Sequence, residues 1–371
     1  MQTLQVLIVD DSALFRTLLQ NVIRELPDVS VCGSVSSGEL ALDAIARLRP
    51  DVVTLDVEMP GLSGIDVLRE LRRRKASCRV IMLSRLTTVG AQITTDALLE
   101  GAFDFILKPS GNALQHNRQI LSEALSTQLA AIRQLLHGQA GAHEHRPPAG
   151  SPPSPRTDEL PPQVIVIGCS TGGPDALAQF VPDLPADWNI PVLIVQHMPA
   201  GFTQSLALRL DEASEVNVRE AADGTPLAPG NVYIAKGGTQ LKLVGDPGNK
   251  VALRLTDDPP ENFCRPAVDY TLRSAAALFG NRTLALILTG MGQDGAAGCK
   301  AVHDAGGRVF VQHPDGCTVY GMPRAAMRTG TVTEEWRLSE IASRFIALGS
   351  PGKRRERPDT GPAARRPPRN P

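Results

Sequence analysis

Apolar runs and helical stripes alternate along this chain in two blocks. In the first block Leu4–Val9 is a largely apolar run, the pattern of a strand buried on both faces. From Leu14 to Leu26 the apolar residues fall at helical spacing, with Ser12 placed to cap the helix. Val29–Val31 predicts a short strand, and Leu40, Ala41, Ala44, Ile45 and Leu48 mark a second helix. Asp51–Leu55 reads as a strand ending at Asp56, and Ile65, Val67, Leu68 and Leu71 lie in a third helix. Arg79–Leu83 is a strand ending at Ser84. A helix near 90–100 leads into Phe103–Leu107, then Lys108-Pro109, and a final amphipathic helix runs toward Leu136. Five strands with intervening helices predict a doubly wound parallel sheet.

Residues 138–163 break the pattern with Gly, Ala, His and Pro and read as an extended linker. His143 and His145 within it read as solvated polar residues rather than metal ligands. Alternation resumes at 164, with candidate strands at 164–167, 192–196, 231–235, 241–244, 251–255, 284–288 and 307–312. The three runs 231–235, 241–244 and 251–255 are joined by Gly-containing turns, so they predict an antiparallel excursion on a mainly parallel, Rossmann-like sheet. The boundaries expected are 3–125 for the first domain, 126–162 for a helix extension and linker, 163–348 for the second domain, and 349–371 for a disordered basic tail.

A chain of 371 residues, 42% hydrophobic and 21% charged, suits two domains, each with its own core. The net charge of −1 gives no whole-chain case for nucleic-acid binding. Six scattered cysteines without a Cys-x-x-Cys pair fit free thiols in a reducing cytosol. The first residues read as a strand, not a signal peptide, and no apolar run approaches a membrane span, so a cytoplasmic protein is expected.

Chemistry-bearing residues collect at the predicted strand ends. In the first block Asp10 and Asp11 follow the first strand, Asp56 ends the third, Ser84 the fourth and Lys108 the fifth. Such positions converge on one crevice in an open parallel sheet. Three carboxylates there call for a divalent cation, and Mg²⁺ suits them. Asp56 is then a plausible nucleophile toward a phosphoryl group, with Lys108 neutralising its charge and Ser84 binding an oxygen. These residues resemble the receiver domain of two-component response regulators over about residues 3–125, through Val9–Ser12, Asp56–Gly64 and Phe105–Pro109. The resemblance implies phosphorylation of Asp56 by a histidine kinase, with Ser84 and Phe105 coupling the phosphate to conformation. Arg85 stands where such domains commonly carry a small residue.

In the second block Gly168-Cys169-Ser170-Thr171-Gly172-Gly173 follows the run Val164–Ile167. A strand that opens through Gly-x-Ser-x-Gly into a helix lifts a serine hydroxyl above the sheet. A glycine-rich phosphate turn is the rival for this motif taken alone, but Ser170 replaces the second glycine of a dinucleotide fingerprint. His197 follows the strand 192–196, and Asp294 lies beyond the run Leu284–Leu288. All three therefore fall past strand ends and can form a serine–histidine–aspartate triad. Their order is not that of α/β-hydrolases, where the acid precedes the histidine. His313 also ends a strand and is a rival base, His303 reads as structural, and Cys169 reads as a packed thiol.

This constellation resembles the catalytic domain of chemotaxis protein-glutamate methylesterases over about residues 163–345. The matching stretches are Gly168–Gly173, Gln196–Thr203, Arg265–Asp269, Thr289–Gly295 and Gly321–Pro323. The resemblance implies Ser170, His197 and Asp294 as the triad, with the region of Thr171 and Met291 supporting histidine or oxyanion. Cys264 stands where the family often has histidine, and Lys236 and Gln240 replace its usual proline and histidine.

The implied function is a phosphorylation-activated serine esterase. It would remove methyl groups from glutamate methyl esters of chemoreceptor cytoplasmic domains, with deamidation of receptor glutamines as a second outcome of the same chemistry. A histidine kinase is the expected phosphodonor, Mg²⁺ the expected receiver cofactor, and the catalytic domain is expected to need none. The rivals are a binding protein of the same architecture and a DNA-binding response regulator, for which no basic recognition helix is visible in 164–349.

Overall fold

The computed structural model describes residues 3–110, 113–137, 161–246 and 250–349. The Pro-rich linker, including His143 and His145, and the basic tail beyond 349 lie outside the described residues. The first block builds β1 (Leu4–Val9), α1 (Ala13–Arg24), β2 (Val29–Val35), α2 (Gly38–Leu48) and β3 (Val52–Asp56). It continues through α3 (Gly64–Arg73), β4 (Arg79–Ser84), α4 (Thr88–Leu99), β5 (Asp104–Leu107) and α5 (Leu114–His137). The strands form one parallel sheet in the order β2-β1-β3-β4-β5. Ser12 caps α1 by accepting from the Phe15 N–H, and Ser63 with Asp66 closes a capping box on α3. β2 runs four residues past the apolar pattern, because Cys32, Gly33 and Ser34 sit on a half-buried edge strand.

The second block opens with β6 (Val164–Cys169), α6 (Gly173–Phe180), β7 (Val192–Gln196), α7 (Phe202–Ala213), β8 (Asn217–Glu220) and β9 (Asn231–Ile234). A hairpin of β10 (Gln240–Val244) and β11 (Ala252–Thr256) follows, then α8 (Val268–Phe279), β12 (Thr283–Ile287) and α9 (Ala296–Asp304). The described residues close with β13 (Arg308–Gln312), α10 (Met322–Met327), β14 (Glu334–Trp336) and α11 (Ile341–Gly349). Seven strands form a parallel sheet in the order β14-β13-β12-β6-β7-β9-β8.

The antiparallel excursion is therefore smaller than the turn pattern predicts. Only β10 and β11 pair antiparallel, as a separate two-stranded sheet, whereas β9 lies parallel to β7 and β8. The pair leaves the main sheet because α8 takes its polar groups. Thr271 Oγ1 donates to the Leu241 carbonyl, and the Leu243 N–H donates to Ser274 Oγ. β8 and β14 escape sequence reading because each is short and carries charged residues, the usual composition of a protected sheet edge.

One buried apolar cluster crosses from the first block to the second, joining Leu55, Ala91 and Leu98 with Ile167, Phe180 and Phe202. The two sheets thus share packing rather than hanging from the linker.

Candidate active site and phosphoacceptor site

β6 is the point where the strand order of the second sheet reverses, with β12 on one side and β7 on the other. Ligands of open α/β sheets bind at such a reversal, outside the carboxyl ends of the strands. Ser170 leaves β6, His197 leaves β7, and Asp294 lies beyond β12, so the fold delivers all three to this crevice. The Ser170 N–H is held by the Thr289 carbonyl at 3.0 Å, and Gln196 Nε2 donates to the Ser170 carbonyl at 3.0 Å. Gly172 caps α6 with φ 78°, and a Cβ there would collide with the Thr318 side chain. The turn under the serine therefore needs glycine on both backbone and steric grounds.

Asp294 is buried and heavily bonded. Its Oδ2 accepts from the Val268 N–H at 2.6 Å and lies 2.8 Å from His197 Nε2. Its Oδ1 accepts from the N–H groups of Asp269 and Gly295 and from Asn262 Nδ2. Burial pushes Asp294 up, but His197 and the N–H groups of Val268 and Asp269 outweigh it and hold the carboxyl below its ordinary range. For His197 burial works against the charged ring. The hydrogen bonds to Asp294 and Cys264 overcome it and lift the imidazole to about 9.

The second ring nitrogen meets a thiol. His197 Nδ1 lies 3.5 Å from Cys264 Sγ. Among the described residues the Ser170 hydroxyl makes no hydrogen bond, to His197 or to any other group. The structure thus joins His197 to Asp294 and leaves Ser170 at the neighbouring strand end, uncoupled. Long or unformed catalytic hydrogen bonds are common before substrate arrives. The N–H groups of Thr171 and Met291 donate to no protein acceptor among the described residues, and both flank the serine turn.

The remaining candidates fall elsewhere. His313 follows β13, two strands from β6, and its Nδ1 lies 3.5 Å from Asp315 Oδ2. His303 lies on α9, beside Asp304. Cys169 is fully buried, and burial raises its thiol well above the usual range. Gln240 is buried and structural: its Oε1 accepts from the Ala267 N–H at 2.8 Å and its Nε2 donates to the Pro259 carbonyl. The Lys236 carbonyl closes the following turn by accepting from Thr239 Oγ1.

In the first sheet Asp10, Asp11 and Asp56 bring carboxylate oxygens within 4.8 Å of one another. Lys108 Nζ lies 2.6 Å from both Asp10 Oδ2 and Asp56 Oδ2. Burial raises Asp56 to about 6 against the pull of Lys108. The buried Asp10 Oδ2 has no hydrogen-bond donor beyond its ion pair. An all-oxygen set with an under-satisfied carboxylate fits Mg²⁺. Ser84 Oγ is buried and accepts from Thr94 Oγ1 of α4 at 2.7 Å.

Comparison with known proteins gives these two sites a family. The response regulator receiver domain matches residues 6–119, and the CheB methylesterase domain matches residues 165–345. The chain is 43% identical to the protein-glutamate methylesterase/protein-glutamine glutaminase of Thermotoga maritima over 94% of this chain and 99% of the relative. It is 38% identical to that of Desulfotalea psychrophila over 93% and 98%. The chain belongs to the protein-glutamate methylesterase/protein-glutamine glutaminase family. The solved catalytic domain of Thermotoga maritima CheB methylesterase aligns at 43% identity and TM-score 0.49, covering 51% of this chain and 100% of that domain.

In this methylesterase the receiver packs directly against the crevice beside Ser170. Thr171, the residue after Ser170, donates its hydroxyl to Asp104 of β5. Phe105 stacks on Phe202 at the start of α7, with ring centroids 4.7 Å apart. Asp96 of α4 takes a forked pair of bonds from Arg209 of α7, at 2.6 and 2.8 Å. Burial raises Asp104 to about 6, against the hydrogen bond from Thr171. Sequence reading finds Phe105 but misses Asp104, Asp96, Phe202 and Arg209, since residues on exposed-looking helix and strand faces carry no signal until a second domain covers them. Among the described residues no helix is long and apolar enough to cross a membrane.

Proposed function

We propose that residues 163–348 form the catalytic domain, with Ser170 as nucleophile, His197 as general base and Asp294 as its partner. The reading rests above all on one arrangement: three adjacent strands, β12, β6 and β7, deliver these residues to the reversal point, with His197 and Asp294 already 2.8 Å apart. Once the Nδ1 proton is lost and Nδ1 faces the serine in place of Cys264, it takes the hydroxyl proton as Oγ attacks the ester carbonyl of a methylated glutamate side chain. Asp294 keeps Nε2–H and stabilises the charged ring. The N–H groups of Thr171 and Met291 receive the oxyanion. His197 then returns the proton to the leaving methoxy group, methanol departs, and water resolves the acyl-enzyme to glutamate. A glutamine side chain passes through the same steps with ammonia as leaving group, the second activity in the family's name.

Residues 3–125 form the receiver, with 126–162 as helix extension and linker and 349–371 as tail. Asp56 accepts a phosphoryl group from a histidine kinase. Mg²⁺ held by Asp10, Asp11 and Asp56 would neutralise charge on the transferring group. Lys108 would then move from carboxylate to phosphoryl oxygen, and Ser84 would bind another oxygen and draw on α4 through Thr94. The receiver in its resting position covers the Ser170 crevice, and phosphorylation shifts the packing of α4 and β5 on α7. The substrate is the cytoplasmic domain of a methyl-accepting chemoreceptor, which places the enzyme in the cytoplasm. The test is mass spectrometry of methylated receptor peptides before and after incubation. Wild type converts methyl ester to glutamate, and Ser170→Ala does not. Conversion by the variant would overturn the assignment.

A further inference from the structure

We propose that Cys264 and His197 form a binding site for a thiophilic divalent cation, Zn²⁺ by size and ligand preference. Cys264 Sγ lies 3.5 Å from His197 Nδ1. Sγ, a ring nitrogen of His197 and a carboxylate oxygen of Asp294 all fall within 4.8 Å of one another. A tetrahedral zinc ion with bonds of about 2.3 Å to sulfur and 2.0–2.1 Å to nitrogen holds two such atoms roughly 3.5 Å apart. The donors therefore already stand at the required separation. The other nitrogen, Nε2, is 2.8 Å from Asp294 Oδ2, the outer carboxylate that zinc-bound histidines commonly carry. With Nε2–H committed to Asp294, it is Nδ1 that faces Cys264 Sγ, and loss of its proton opens a lone pair to the metal. Binding exchanges the Nδ1 proton and the thiol proton, both released to solvent, for the metal. No electron is transferred and no other bond changes, and waters complete the coordination.

The segment carrying Cys264 is built onto the same acid. Glu261 and Cys264 exchange main-chain hydrogen bonds at 3.1 and 2.8 Å around Asn262 and Phe263. Both central residues have left-handed backbone, with φ 49° and 63°, a conformation that disfavours a residue such as phenylalanine. Phe263 is fully exposed, so burial of its ring does not offset the strain. Asn262 Nδ2 donates to both Asp269 Oδ2 and Asp294 Oδ1, and these bonds hold the turn and aim the thiol at the imidazole. Cys264 is partly exposed, so an ion can enter from solvent. The two candidate cation sites among the described residues then divide by softness, oxygens alone in the receiver and nitrogen with sulfur here.

The functional consequence rests on the base role proposed for His197. A metal on Nδ1 occupies the lone pair that receives the Ser170 proton, so Zn²⁺ switches the esterase off reversibly. The test titrates the full chain with Zn²⁺ in excess Mg²⁺, which fills the receiver site, using calorimetry and a chromophoric chelator. Wild type is expected to bind one equivalent at this site, and Cys264→Ser and Cys264→Ala to bind it at least tenfold more weakly. X-ray absorption of the wild-type complex is expected to show one sulfur ligand. Equal affinity in wild type and Cys264→Ala, or no sulfur ligand, overturns the site. Methanol release is expected to fall in step with occupancy and return with chelator. Full occupancy without loss of rate overturns the inhibitory role. A wild type that releases no methanol in metal-free buffer refutes the esterase reading instead, while the binding data still decide the site.

Discussion

In the receiver, Lys108 already spans Asp10 and Asp56 at 2.6 Å, and the carboxylates converge as phosphoryl chemistry requires. In the catalytic domain, His197 is tied to Asp294 at 2.8 Å and to Cys264 at 3.5 Å, while the Ser170 hydroxyl has no partner among the described residues. Both sites lie past the ends of parallel strands. They differ in what covers them. The receiver site opens to solvent through the exposed Asp11, so an incoming phosphodonor finds it ready. The serine crevice faces the receiver, and Asp104 takes the hydroxyl of Thr171, the residue after Ser170. Asp10, Asp56 and Lys108 are thus in mutual contact, whereas Ser170 and His197 share no hydrogen bond and the receiver touches Thr171 beside the serine.

The largest effect expected is on the chemistry itself. Ser170→Ala and His197→Ala should each lower methanol release by about 10⁴-fold or more, and the double variant should be no worse than the poorer single one, because the two act as a unit. Additive losses in steady-state assays would mean that they do not share a proton. Next, Asp56→Asn should bring the ratio of rates with and without phosphodonor to one. A retained response would place the phosphoacceptor elsewhere.

The covered interface also carries a pH dependence. Burial raises Asp104 to about 6 from an ordinary value near 3.8. The closed packing is therefore fully stable below about 3.8 and weakens as pH rises through 6, where the buried carboxyl ionises. Hydrogen exchange at α7 should increase across that window in wild type and stay flat in Asp104→Asn. An identical rise in both would assign the dependence to another group. The smallest effect belongs to Arg209. Its pair with Asp96 is partly exposed, worth about 0.2–1 kcal/mol. Arg209→Ala should raise the unphosphorylated rate by no more than about fivefold, read as basal methanol release.

Most of this comparison is legible in the sequence. Apolar runs such as Val164–Ile167 locate buried strands directly, and Asp56, Ser170 and His197 sit at their ends because chemistry in such sheets gathers there. β8 and β14 are invisible because short charged edges have no apolar period. The parallel pairing of β9 with β7 is hidden by turn residues that suit a hairpin equally well. Cys264 stands out in sequence only as a departure from a family resemblance. Its approach to His197 depends on the left-handed turn at Asn262 and Phe263, which no local propensity predicts. Asp104 and Arg209 are unreadable for a different reason: their partners lie 67 and 113 residues away in another domain.

The most direct test of the account measures methanol release from methylated receptor by the full chain, with and without a small-molecule phosphodonor and Mg²⁺. A rise on phosphodonor addition that vanishes in Asp56→Asn, with both rates lost in Ser170→Ala, is the predicted result. Equal rates with and without phosphodonor in wild type would contradict the claim that the receiver holds the serine crevice closed.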